Sequence, residues 1–493
     1  MASLERANGL LTCGALAEAA AMFAVLHRQQ PEDPDVLHGL GLVALHEGRL
    51  AEAREHVAHA AELAPKNAHY LCTLGDIERL RGDLAGAEAF LLRALDLQPE
   101  SADALNNLGM VFLSAEKFVE AAQLFQLALK YRPALTMAWY NRGVALKELN
   151  QLDQAIASYR EAITRQPDFV QAHVNLAIAL LLDGQLEEGF EEYEWRLKPP
   201  LAASRRVSAP DWDGNIVPGG SLVVCAEQGA GDLIQFARYL PFIARQGMRT
   251  IVQCRPEMEA LMQTVEGVAS TYRPDEDLPV HNAQVMMASL PRLFQTRIDK
   301  IPTNIPYLRP PFAQVQRWKE RMAELGDTIK VGLRWAGNPA NSDDSRRSCP
   351  LSLFAGIAGT GNMTLVSLQN EPPDAAEMDL AQRLGLVDCS ADLKDFTDTA
   401  ALLANLDLVI SVDTAVLHLA GALGRPTWAL LRYSPHWPWL LERDDSVWYP
   451  GMQLFRQPRP GDWKTVIDHL VDTLLEVMHI SRDDGLATGK KDV

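Results

Sequence analysis

The residues best spaced for chemistry lie between Asp407 and Pro426, where Asp413, Thr414 and His418 interrupt an otherwise apolar stretch. The β-branched run 408–412 predicts a buried strand. Residues 415–423 predict a helix, closed by Gly424 with Pro426 just beyond. Strand, two-residue turn and helix make a junction at the carboxyl end of a strand, where open α/β sheets bind ligands. The unpaired N–H groups of the helix and the positive end of its dipole suit a phosphate. Small Ala415, Ala420, Gly421 and Ala422 let other groups come close, and His418, one turn in, can face the same site. The plainer alternative is that Asp413 caps the helix and His418 is a core histidine.

Two further loops carry polar groups in comparable places. Residues 221–226 predict a buried strand, and the loop 227–232 (EQGAGD) leads from it into a helix. Gly229 and Gly231 allow tight backbone turns there. The loop lacks the full GxGxxG pattern and a Walker lysine, so neither a standard dinucleotide site nor a P-loop is supported. Asp232 stands where the helix begins; its plain reading is again a cap. The polar loop 337–350 leaves the strong strand 329–335 and carries Arg346 and Arg347, and Gln369 ends the strand 363–368, where it can reach a base or ribose. Asp395, Thr397 and Asp398 read as caps of a helix at 399–405.

The elements that position these residues belong to a long chain. Its 493 residues exceed one ordinary core, so two or three domains are expected. With 47% apolar and 22% charged residues it has the composition of a soluble globular protein. A net charge of −18 argues against general nucleic-acid binding and anionic membrane surfaces. The six scattered cysteines form no CxxC pair, so reduced thiols and no zinc site are expected. No carboxylates and histidines cluster at ligand spacing, so no metal is expected. Nothing reads as a signal peptide or a membrane span, and a cytoplasmic location is expected.

Pro31, Pro65, Pro99, Pro133 and Pro167 recur every 34 residues, the period of tetratricopeptide repeats. In the clearest unit Trp139, Gly143 and Leu146 mark a first helix, and Ala155, Tyr159 and Ala162 a second. About six such units predict an α-solenoid over residues 1–198, whose concave face grips a protein segment or mediates self-association. A breaker-rich linker follows at 199–220. Strands at 221–226, 249–254 and 284–287 alternate with helices in one α/β half, 221–311. A second half, 312–480, has strands at 329–335, 363–368, 408–412 and 427–431 and a closing helix near 463–478. Residues 481–493 are expected to be a disordered tail. Five of the ten tryptophans fall between Trp428 and Trp463, either as a sugar-stacking wall or as packing of an irregular lobe.

The 407–426 stretch resembles the donor-phosphate motif of the heptosyltransferase-like glycosyltransferases. That motif runs Asp, Thr or Ser, Gly or Ala, two variable residues and His, then a small-residue helix and Pro; Asp413, Thr414, Ala415 and His418 fill those places. The 227–232 loop resembles the Gly-Asp loop that opens the family's first domain, whose Asp faces the interdomain cleft as the proposed catalytic base. This implies Asp232 as base, with Glu227 as second candidate. The family also places a basic residue, often Lys, three before a Pro; Arg347 holds that place before Pro350.

The resemblance covers about 221–475. It implies a GT-B fold of two Rossmann-like halves behind the repeat solenoid, an α plus α/β multidomain chain. It also implies metal-independent, inverting transfer from a nucleotide sugar. Gly229, Gly231, Arg347, Gln369, Asp413, Thr414, Ala415 and His418 would then serve donor and substrate. With the repeats in front, the chain looks like bacterial tetratricopeptide glycosyltransferases, including those that modify flagellin. This favours a protein acceptor held by the repeats. The alternatives are a non-catalytic scaffold and an enzyme acting on a glycolipid or lipopolysaccharide.

Overall fold

The computed structural model describes residues 3–201, 209–227, 229–277, 279–341, 343–358, 362–370 and 375–487. The chain forms two compact units, Met1–Leu176 and Ala177–Val493.

The first unit is built from antiparallel helix pairs. The second helices, Leu16–Gln29, Leu50–Leu63, Leu84–Leu97, Phe118–Tyr131 and Leu152–Arg165, each end two residues before one of the periodic prolines. Proline cannot donate to the helix ladder, and it holds the residue before it extended, so the helices stop there. Asp33, Asn67 and Ser101, two residues past a proline, accept hydrogen bonds from the first-turn N–H groups of the next helices. Glycine lets the paired helices touch. A Cβ at Gly41, Gly75, Gly109 or Gly143 would stand 2.3–2.6 Å from Val57, Leu91, Phe125 or Tyr159, each sixteen residues on.

A sixth pair, Val170–Leu182 and Leu186–Tyr193, continues the pattern. The repeat signal runs to 198, yet the division between compact units falls at 176/177, inside the Val170–Leu182 helix. The reason is burial in the second unit: Leu186, Phe190 and Tyr193 are buried, and the Phe190 ring lies 5.6 Å from that of Trp437.

Two all-parallel sheets form the second unit. β1 (Ser221–Cys225), β2 (Arg249–Gln253), β3 (Val268–Tyr272) and β4 (Ala283–Met286) lie in the order β3-β2-β1-β4. β5 (Ile329–Arg334), β6 (Met363–Ser367), β7 (Leu408–Val412), β8 (Thr427–Leu431) and β9 (Met452–Arg456) lie in the order β6-β5-β7-β8-β9. Central strands covered on both faces must be apolar throughout, and β7 and β8 are buried almost end to end. The core of the second sheet joins Val331, Leu333, Ile410, Val412 and Leu430 to Trp463, Ile467 and Leu470 of the last helix. The helical repeats followed by two parallel sheets match the expected solenoid and two Rossmann-like halves of a GT-B fold.

Three features differ from the sequence reading. β3 and β9 are edge strands that the pattern did not signal. In the linker, Trp212 N–H donates to the Gln284 carbonyl at 2.7 Å and Gln284 N–H to that of Pro210 at 3.1 Å, so this segment extends the first sheet beyond β4. The last helix is Trp463–Ala487, which places helix at 481–487 where a disordered tail was expected; no proline interrupts it. The rest of that tail, 488–493, lies outside the described residues.

Candidate active site

In the second sheet the chain leaves β5 to form β6 on one side and β7 on the other. This reversal opens a crevice at the carboxyl ends of β5 and β7, the usual ligand position in such sheets. The loop after β5 carries Arg347 and the turn after β7 carries Asp413 and Thr414. The two loops meet: Arg347 Nη1 donates to the Asp413 carbonyl at 3.4 Å, while its Nε donates to Asp344 Oδ1 at 2.9 Å. The loop is folded rather than merely solvated. Asp344 is buried and also accepts from Ser348 Oγ at 3.0 Å, and Ser348 Oγ accepts the Gly337 N–H at 3.1 Å. Glycine is required at 337, since a Cβ there would lie 2.1 Å from Asp344 Oδ1 and 2.6 Å from Arg347 Nη2. Arg346 points elsewhere, 3.7 Å from Asp343.

The helix after β7 is Ala415–Ala422, and its cap position is held by Thr414 in an extended conformation, with no side chain bonded to the first turn. The expected alternative that Asp413 caps this helix is therefore not what the structure shows. An uncapped first turn keeps its N–H groups and partial positive charge available to an anion. The Asp413 carboxylate lies 3.9 Å from His418 Nε2. His418 is 5% exposed, its Nδ1 is 2.9 Å from Tyr449 Oη, and its ring centre lies 5.1 Å from that of Trp439. Burial lowers its pKa to about 4, against the opposing pull of Asp413. His418 is thus neutral near pH 7. If Tyr449 donates to Nδ1, the Nε2–H faces Asp413 and the mouth of the helix.

The first sheet supplies Asp232. Its strand β1 precedes the helix Ala230–Phe236, whose cap residue is Gly229. Asp232 is the third residue of that helix rather than its cap, and its carboxylate accepts from the Gly229 backbone, as third-position acids do. Burial raises its pKa; His436 opposes the shift, and the nearby charges of Asp413 and Glu227 add to it. Gly231 brings this helix against the Ala415–Ala422 helix: a Cβ at 231 would lie 3.0 Å from His418 Cδ2 and 3.7 Å from Ala415 Cα. At Gly229 a Cβ would meet only Asp232 Oδ2, at 3.7 Å, so space does not demand glycine there. Beside Asp232 a cavity of about 10 Å³, room for roughly one water, is lined by Glu227, Gly229, Leu233, Phe236 and Met287 among others.

Asp232, Gly231, Arg347, Asp413, Thr414, Ala415 and His418 therefore come to one place. Gln369 is at the end of β6 on the same edge, with a buried side-chain oxygen that has no partner among the described residues. Asp395 is the cap of the helix Phe396–Leu403, and Asp398 pairs with Arg317, so both are structural. Glu227 is held by Arg196, Nη2 to Oε1 at 2.7 Å and Nε to Oε2 at 3.0 Å, which removes it as a free base. Trp437, Trp439 and Trp448 are almost fully buried, which decides the tryptophan cluster in favour of packing. Residues that sequence reasoning missed are Arg196, His436, Trp439, Tyr449 and Arg238. Arg238 is 2% exposed and donates to the Pro302 and Trp448 carbonyls at 3.0 and 2.8 Å, tying the two halves. Among the described residues, no three His, Cys, Asp or Glu side chains group to hold a metal, and no helix is long and apolar enough to cross a membrane.

Two Rossmann-like halves, with Asp232 on one and the uncapped helix Ala415–Ala422 on the other, are the arrangement of a GT-B fold. A glycosyltransferase family 9 (heptosyltransferase) model matches residues 391–444, which include Asp413, Thr414, Ala415 and His418. Tetratricopeptide repeat models match 32–100, 72–135 and 137–169. The chain joins tetratricopeptide repeats to a glycosyltransferase family 9 domain. It is 29% identical over 315 residues to Protein FlbA of Caulobacter vibrioides, a stretch that is 58% of this chain and 52% of FlbA. The chain thus spans about half the length of that relative. Among solved structures, MamA is similar at a TM-score of 0.29 and 22% identity, covering 32% of this chain and 92% of MamA. TTC0263, a tetratricopeptide protein of Thermus thermophilus, is similar at 0.33 and 22%, covering 36% and 97%. Likenesses this distant assign nothing to this chain.

Proposed function

We propose that the chain is an inverting, metal-independent glycosyltransferase that moves a sugar from a nucleotide-sugar donor to a protein acceptor recruited by its repeats. The observation that carries this is the meeting of Arg347 with the Asp413 turn beside an uncapped helix at the strand-order reversal. A guanidinium and a helix N-terminus suit a diphosphate, which leaves with two negative charges to stabilise. His418, held neutral, contributes a hydrogen bond rather than a charge. An acceptor hydroxyl needs its proton removed on the face opposite the leaving group, and Asp232 comes from the opposite half. Its raised pKa makes its carboxylate more basic than that of a free Asp. Asp413 would orient the donor sugar or the turn, and Gln369, whose side-chain oxygen has no partner among the described residues, the base or ribose. The repeats favour a protein acceptor, for which flagellin is the candidate that the resemblance suggests, over a lipid one.

The test is a thermal-shift panel of nucleotide sugars on the full chain, since a ligand that binds only the folded state raises the melting point. One nucleotide-sugar class should give a saturable rise, unaffected by chelator. No rise with any nucleotide or nucleotide sugar would instead support a non-catalytic scaffold.

A further inference from the structure

We propose that Arg196 is a positioning residue that pins the loop leading into the Asp232 helix, so that the turn after the last repeat helix sets the geometry of the base. The inference rests on the reading of Asp232 as base. Arg196 belongs to the helical turn Glu194–Leu197, directly after the Leu186–Tyr193 helix. Its side chain is 7% exposed and that of Glu227 is 8% exposed. Beyond the two-pronged grip on Glu227, Arg196 Nη1 donates to the Tyr193 carbonyl at 3.0 Å and Glu194 Oε1 at 2.8 Å, and Nη2 to Ser289 Oγ at 2.9 Å. Ser289 Oγ donates to Glu194 Oε1 at 2.8 Å, and Glu227 Oε1 also accepts the Ala288 N–H at 3.2 Å.

These partners sit at the carboxyl ends of β1 and β4, where the strand order of the first sheet reverses. In such sheets that crevice ordinarily takes a ligand. Here the guanidinium of Arg196 bonds groups from both strand ends, Glu227 after β1 and Ser289 after β4. Ahead of the helix Glu227 is therefore held by Arg196, and in its first turn Gly231 is held against His418. Asp232 follows Gly231 directly, so its carboxylate is aimed by both anchors. A buried pair of this kind is strongly disrupted when one partner is removed, because the other charge is left uncompensated. Neutralising both restores balance but not the grip of two charge-assisted bonds.

The test compares full-length wild type, Arg196→Met, Arg196→Lys and Arg196→Met/Glu227→Gln. The readouts are amide hydrogen exchange, donor affinity and turnover with the donor found by thermal shift. In Arg196→Met, amides of 226–233 should exchange at least tenfold faster, while those of β7 and the Ala415–Ala422 helix keep wild-type rates. Turnover should fall about tenfold or more with donor affinity within about twofold, and the Lys and double variants should recover part of it. Unchanged exchange at 226–233 overturns the proposal. Acceleration spread evenly over the unit also overturns it, since Arg196 then only stabilises the fold. The exchange readout does not depend on the role of Asp232. If Asp232→Asn turns over normally while the loop still loosens in Arg196→Met, the base assignment fails and the pinning stands.

Discussion

Replacing His418 by Gln should make the second unit less sensitive to acid. The His418 imidazole is buried between Tyr449 and Trp439, and burial lowers its pKa from 6.5 to about 4. The unfolded chain takes up a proton near pH 6.5, whereas the folded chain resists it until about pH 4. In that window the unfolded state binds more protons, so stability is full above pH 6.5 and falls as the pH drops toward 4. Linkage over this gap makes the loss about 2.5 kcal/mol by roughly pH 4.5. Asp232, whose pKa is raised, acts in the opposite direction, but it is present in both proteins and cancels in their difference. The assay is urea unfolding of the full chain near pH 7.5 and about pH 4.5, followed by tryptophan fluorescence. Nine of the ten tryptophans lie at or beyond Trp195, so the signal reports the second unit. The glutamine side chain of the variant has no proton to gain, and its amide can still bond Tyr449. The wild type should lose about 2.5 kcal/mol more than His418→Gln between the two pH values. Equal losses would show that burial does not lower the His418 pKa, and the folded site would then hold an imidazolium at about pH 4.5.

Arg347→Ala should weaken nucleotide-sugar binding by about 1.5–3 kcal/mol, read by calorimetry, without changing the fold. Arg347→Lys should recover only part, because an ammonium cannot keep the Asp344 contact, reach the Asp413 carbonyl and offer a planar fork together. A chain beginning at residue 177 should fold, melt as one unit and bind donor with full affinity, yet fail to modify a protein acceptor. Cutting instead at 195 should yield an aggregating product, because it strips the buried Leu186, Phe190 and Tyr193.

What could be read in the sequence was what is written locally. The 34-residue proline period and the small residues at helix crossings depend on spacing within one repeat, and they appear in the helix pairs as expected. Asp413, Thr414 and His418 were visible because strand, turn and helix follow one another without a break. Arg347 showed only through resemblance, since a polar loop with two arginines has no period. The partners that tune the site were invisible for a physical reason. Tyr449 meets His418, and Arg196 meets Glu227, each across 31 residues of chain. Pairings at that distance leave no pattern in either segment. The Asp395 cap reading held, but two others failed by one or more positions: Thr414 and Gly229 take the cap places, not Asp413 and Asp232. Helix starts in short turns are set by tertiary packing as much as by the capping residue. The repeat helices run on to Tyr193 as the period indicates, but the sequence does not show that the last of them, which looks like its fellows, buries its apolar face in the second unit.

Asp232→Asn tests the proposed chemistry most directly. Asparagine is nearly isosteric and its side-chain oxygen can still accept the Gly229 contact, but it cannot take a proton from an acceptor hydroxyl. The measurement is donor affinity, melting temperature and transfer rate of the full chain, wild type against variant, with the donor singled out by thermal shift. Melting and donor affinity should stay near wild type while transfer falls by roughly a hundredfold or more. Transfer at the wild-type rate would remove Asp232 as the base, and a large fall in melting temperature with transfer intact would leave it only its structural contact with Gly229.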